Sequence, residues 1–221
     1  MLKRLISYFV PIIIYQKKSS LSKNLEICWN NGQLVLDSKN TNYSYGDLQR
    51  ILRKGLKYIG FEKIKAMDNI LVLGVAGGSI IKTLAEEIQC NGKITGVEID
   101  ADVIHIANGY FKLNEIPNLK IVIDDAFEFV LKTKEKYDLI IIDIFQDTKM
   151  PNFLFEKFFI NRIGFLLNNN GFVLFNTIIL DKHHDERNKN YLAEFDNTLF
   201  TVMKVPRVKD HNELFIIKKG N

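Results

Sequence analysis

Apolar residues along the chain follow two rhythms that alternate from Asn69 onward. Short runs apolar on both faces, at 70–73, 93–99, 119–123, 137–144 and 171–178, read as strands. Between them lie stretches with apolar residues three and four apart, at 80–89, 101–112, 126–132 and 154–167, which read as helices. Strands without a polar face must be covered on both sides, so this repetition predicts a parallel sheet between two helical layers, with Leu139-Ile140-Ile141-Ile142 as a central strand. The ending differs. After helical spacing around 191–199, two strands at 200–205 and 213–218 are separated only by 206–212, a connection that joins antiparallel neighbours.

Upstream the pattern is different again. Two β-prone runs, 24–29 and 33–37, flank Asn30-Asn31-Gly32, and Asn-Gly between extended runs signals a hairpin. From 45 to 60 the spacing is helical, with Leu48, Ile51, Leu52, Leu56 and Ile59 on one face and Gly60 closing the helix. The expected architecture is an N-terminal β-hairpin region, 1–42, followed by an α/β catalytic domain, 43–221. The latter has a Rossmann-like, mostly parallel seven-stranded sheet with an antiparallel last strand, an arrangement that resembles the S-adenosylmethionine-dependent methyltransferase fold.

Composition narrows the function classes. At 221 residues and 47% hydrophobic content the chain can bury a full core as essentially one unit. Thirty basic and 26 acidic side chains give a net charge of +4 spread along the chain, which does not indicate nucleic acid. The apolar stretch 5–15 follows Lys3 and Arg4, but it contains Pro11, lacks a small-residue cleavage site and is short of the roughly 20 apolar residues that span a bilayer. No membrane role is expected. Two cysteines, Cys28 and Cys90, without metal spacing fit buried thiols in a reducing cytoplasm.

The candidate chemistry begins at Gly74-Val75-Ala76-Gly77-Gly78, where an apolar strand runs into a small-residue turn and then a helix. Such a turn lets backbone approach a ligand and exposes helix N–H groups. Glu98 ends the next strand 24 positions after Gly74, near the spacing of about 20 expected of a carboxylate that bonds ribose hydroxyls; Ile99 follows it. Asp125, before Ala126, closes the third strand, where a carboxylate can accept from an adenine amino group. All lie at carboxyl ends of strands, where open α/β sheets bind ligands.

With the hairpin, Asn42-Tyr43-Ser44-Tyr45-Gly46-Asp47-Leu48, Val97-Glu98-Ile99-Asp100, Asp124-Asp125-Ala126-Phe127 and Tyr137 to Asp143, the sequence resembles the spermidine synthase family and its methyltransferase-like members. The resemblance implies an S-adenosyl ligand (S-adenosylmethionine or its decarboxylated form), a small-molecule acceptor, a homodimer or larger assembly, and Asp143 as the base toward the acceptor. It also implies an active-site wall near Tyr43 and Tyr45. Two positions depart from the family pattern. Gly77 stands where the family has an aspartate holding the cationic propylamine. Asp143-Ile144-Phe145-Gln146-Asp147 replaces Asp-Ser-x-Asp-Pro, leaving Asp147 as a weaker substrate contact.

An attacking amine must lose a proton, and a polyamine needs carboxylates along its groove. The lost acids therefore favour methyl transfer from S-adenosylmethionine. Aminopropyl transfer from the decarboxylated form is the alternative, and a nucleoside-binding or assembly module without turnover is a third. His183-His184-Asp185-Glu186 reads as a solvated loop, not a metal site.

Overall fold

The computed structural model describes residues 2–19, 21, 24–38, 42–145, 149–209 and 211–221. A short helix α1 (Leu2–Ile6) leads into an antiparallel sheet of β1 (Ile12–Lys17), β2 (Leu25–Asn30), β3 (Gln33–Ser38) and β4 (Asn42–Ser44), paired in that order. The hairpin turn is where the Asn-Gly pair places it: Asn31 and Gly32 have φ of 48° and 74°, the doubly left-handed geometry that matches strand twist. Helix α2 (Gly46–Ile59) follows, closed by Gly60 at φ 104°, then α3 (Phe61–Lys65).

The second sheet is built from β5 (Asn69–Leu73), β6 (Lys93–Glu98), β7 (Leu119–Ile123), β8 (Tyr137–Ile142), β9 (Leu167–Ile178), β10 (Phe200–Lys209) and β11 (Asn212–Lys219). Their spatial order is β10-β11-β9-β8-β5-β6-β7, all parallel except β11, which runs antiparallel to both neighbours. This is the mostly parallel sheet with an antiparallel last strand read from the periodicity. The connecting helices are α4 (Ser79–Lys82), continued by a wide π-type turn over Thr83–Glu87, α5 (Ala101–Phe111), α6 (Ala126–Lys132), α7 (Lys157–Leu166) and α8 (Lys182–Ala193). No helix among the described residues is long and apolar enough to cross a membrane.

Alternate residues of each central strand feed opposite cores. Ile70, Val72, Ile94, Leu139, Ile141 and Leu174 pack beneath α2 and α4. Leu71, Leu73, Ile140, Ile142, Phe175 and Phe215 pack against α7 and α8. A third cluster joins Leu25, Ile27 and Leu36 of the hairpin sheet to Val103, Ile106 and Phe111 of α5. Lys17 of β1 adds an ion pair of 2.7 Å to Asp102 at the start of that helix.

Three elements differ from the sequence pattern. His183 to Glu186 form the first turn of α8, capped by Asp181, whose side chain accepts the His184 N–H. That helix buries only Asn188 and Tyr191, so its polar surface hides the helical period. β9 begins at Leu167, ahead of the expected Gly171. β10 runs through Pro206 to Lys209, and proline is tolerated there because β10 is an edge strand. Both cysteines are buried, and burial pushes the Cys28 thiol up to about 11.

Candidate functional site

β5 and β8 are adjacent, and the chain leaves them toward opposite sides of the sheet: through β6 and β7 on one side, through β9 on the other. A crevice opens at such a switch point. The turn after β5 and Asp143 after β8 sit together there: the Asp143 N–H donates to Leu73 O at 2.9 Å. Gly74 has φ 87°, and a Cβ on it would lie 2.2 Å from the Asp143 carbonyl oxygen, so only glycine lets these two backbones touch.

The other turn residues are equally constrained by protein. Val75 is buried in the core under α2 and α4. Ala76 has φ 48° and Gly78 φ 80°, and a Cβ on Gly78 would meet Leu113 at 2.5 Å. At Gly77 a Cβ would come within 2.8 Å of Ser44 Cβ and 3.2 Å of Tyr45 Cε2. β4 therefore fills the volume that a side chain at position 77 would need. Ser44 Oγ also accepts the Ser79 N–H at the start of α4, 3.3 Å away.

Glu98 faces this turn. Its Oε2 accepts the Val75 and Ala76 N–H groups at 3.1 and 3.0 Å, and its Oε1 accepts the Asp100 N–H at 3.1 Å. Burial pushes its pKa up while those three N–H groups pull it down. A carboxylate offers about four lone-pair sites, so acceptor capacity remains for hydroxyls. Beside it, Ile99 is 45% exposed and Ile123 at the end of β7 is 49% exposed, two apolar side chains presented at neighbouring strand ends. Asp125 caps α6 through Oδ1, which accepts the Phe127 N–H at 2.7 Å, and Ala126 opens that helix. The cap role does not engage the second oxygen. This arrangement of a carboxylate on the turn, two exposed apolar strand ends and a further carboxylate fits a nucleoside.

Asp143 is largely enclosed. Burial pushes its carboxyl up to about 6, against the Asn176 amide, which donates to Oδ1 at 2.9 Å and pulls it down. Asn176, on β9, is not among the sequence candidates, yet it is the polar interruption in the apolar run Phe172 to Ile178. Tyr45 lies against Gly77 and the end of α5. Its ring stacks on Phe111 at 4.3 Å, its Oη is buried without a partner among the described residues, and its backbone holds φ 69°, an unfavourable conformation for tyrosine kept by the packing around it. Asp147 and Gln146 lie outside the described residues, as does the side chain of Tyr43.

The family profile described as Spermine/spermidine synthase domain matches residues 29–221. Among curated relatives, the polyamine aminopropyltransferase of Vibrio vulnificus is 29% identical over 143 residues, covering 63% of this chain and 47% of that protein. The polyamine aminopropyltransferase of Methanocaldococcus jannaschii is 32% identical over 176 residues, covering 76% and 59%. The chain thus spans about half the length of the curated relatives it matches. Among solved structures, spermidine synthase from Thermotoga maritima superposes with a TM-score of 0.70 at 20% identity, over 95% of this chain and 73% of that one. Human methyltransferase-like protein 13 in complex with SAH gives 0.66 at 19% identity, over 80% and 83%. At these identities the structural likeness carries the fold.

Proposed function

The chain belongs to the spermine/spermidine synthase domain family, and on that premise we propose that it transfers an alkyl group from the sulfonium of an S-adenosyl donor to an amine. The specific reaction proposed is aminopropyl transfer from decarboxylated S-adenosylmethionine to a small di- or polyamine. The missing turn carboxylate weighs for methyl transfer, but the relatives' names weigh for the aminopropyl reaction. The observation that carries the proposal is Asp143, an enclosed carboxyl raised to about 6 by burial, beside the glycine turn at the switch point.

Each residue has a role that follows from its position. Glu98 holds the ribose hydroxyls with the lone pairs its backbone bonds leave over, and Ile99 and Ile123 side the adenine. Asp125 offers its second oxygen to the exocyclic amine. When bound, the donor supplies a carbon activated by its positive sulfur. An amine is a nucleophile only without its extra proton, and a carboxylate with a pKa near 6 is ionised at neutral pH yet basic enough to orient and relieve an ammonium. Most of the rate then comes from holding nitrogen, carbon and sulfur in line.

Methyl transfer from S-adenosylmethionine is the second reading. It is favoured by Gly77, where Ser44 and Tyr45 leave no room for a carboxylate that would hold a propylamine. Calorimetric titration with both donors, followed by mass spectrometry of the products with a diamine, separates the two. Methylthioadenosine with a lengthened amine supports aminopropyl transfer, and S-adenosylhomocysteine supports methyl transfer. Failure to bind either donor refutes both.

A further inference from the structure

Asp143 is the first member of a hydrogen-bonded series that crosses three strands. Asn176 Nδ2 donates to Asp143 Oδ1 at 2.9 Å, and Asn212 Nδ2 donates to Asn176 Oδ1 at 3.0 Å. Asn176 is 0% exposed, so both ends of its amide depend on these partners. Asn212 opens β11, and its backbone pairs with Ile178, two residues beyond Asn176 along β9. The neighbouring His211 carbonyl accepts the Ile179 N–H at 2.8 Å, which seats the start of β11 on the end of β9.

An amide side chain has two nearly isosteric orientations. With its NH2 toward Asp143, Asn176 supports an ionised carboxylate. Turned over, its carbonyl would face Asp143 and require a protonated acid. We infer that Asn212 is a positioning residue for Asp143: by donating to Asn176 Oδ1 it disfavours the reversed amide and holds the Asn176 NH2 toward the carboxylate. Reversing Asn176 alone would bring two NH2 groups face to face, so Asn212 would have to turn over with it. Asp143 is thereby kept as an acceptor. Its use toward an amine rests on the proposed transfer reaction, whereas the commitment of the amide does not.

Charged groups on the surrounding strands are turned elsewhere. Asp138, at the other end of β8, accepts the Asp68 and Asn69 N–H groups. Glu98 on β6 is held by the Val75 and Ala76 amides. Glu213 on β11 points to the opposite face, paired with Lys204 of β10 at 2.8 Å. Among the described residues, burial and the Asn176 amide are what act on Asp143.

The test compares proteins carrying Asp143 with their Asp143→Asn partners and reads the upper inflection, the pH at which their growing stability difference levels off, which reports the residue 143 carboxyl of the folded protein without requiring activity. On the otherwise unchanged chain that inflection is expected near 6. Asn212→Leu should move it up by on the order of half a unit to one unit, and Asn212→Gln, which keeps a donor, should undo much of that shift. An unmoved inflection in folded Asn212→Leu overturns the inference. Should Asn212→Leu not fold, Asn212→Ala, which also lacks a side-chain donor, serves in its place, with the same two outcomes. If amine transfer is detected, the acid limb of kcat/KM should move in parallel. A shifted inflection in a protein that transfers nothing would refute the functional proposal and leave the positioning role standing.

Discussion

Replacing Asp143 by asparagine should stabilise the protein while removing its proposed chemistry. The amide oxygen introduced by Asp143→Asn can still accept from Asn176, whose Nδ2 lies 2.9 Å from the carboxylate oxygen it replaces, so the shape and the hydrogen bond survive and only the charge is lost. Burial raises the carboxyl from 3.8 to about 6, so the folded protein holds this proton more tightly than the unfolded chain. Below about pH 4 both states are protonated and Asp143 costs nothing. Between about 4 and 6 the folded state binds more protons, so stability falls as pH rises, and above 6 the loss is complete. Two units at about 1.4 kcal/mol each make the loss up to about 3 kcal/mol. The variant escapes it, which for a chain of this size corresponds to a melting point higher by roughly 6–12 °C at about pH 8 and by almost nothing at about pH 4. Thermal melts of both proteins across that range, followed by circular dichroism, measure the difference. A gain that does not depend on pH, or a variant less stable at the alkaline end, would show that Asp143 is not a buried, reluctantly ionised acid.

Two substitutions test other parts of the same edge of the sheet. Gly77→Ala places a methyl 2.8 Å from Ser44 Cβ and 3.0 Å from Ser44 Oγ, so β4 must retreat and the bond to the Ser79 N–H is lost; urea unfolding should show a cost of about 1–3 kcal/mol. Lys204→Met leaves Glu213, 2% exposed, with Asn188 but without its cation, and should cost about 3–5 kcal/mol by the same measurement. Adding Glu213→Gln to that variant should recover at least half of the loss, since no buried charge then remains.

What the chain discloses before folding depends on how local the physics is. Asn31-Gly32 announces a turn because two left-handed residues in succession suit few other pairs, and the pair is found in that conformation. The strands β5, β6 and β8 are legible because a buried strand has no polar face to confuse the period. Glu98 is readable as a candidate ligand carboxylate from its spacing, but not as the acceptor for Val75 and Ala76, because that role needs the two strands to be neighbours. Asn176 leaves one local trace, a polar residue inside an apolar run. Asn212 leaves none: its partner is 36 residues away, brought close only when β11 inserts antiparallel between β9 and β10. The glycines at 74, 77 and 78 read as room for a ligand, whereas each also accommodates protein: the Asp143 carbonyl, Ser44 with Tyr45, and Leu113.

The cluster that joins Leu25, Ile27 and Leu36 to Val103, Ile106 and Phe111 leaves the hairpin sheet without an interior of its own. A sheet whose buried side is completed by a distant helix has nothing to melt independently. The chain's single tryptophan, Trp29, lies on β2 of that sheet. Its fluorescence therefore follows the loss of the larger α/β half as well, and emission and circular dichroism trace one cooperative transition.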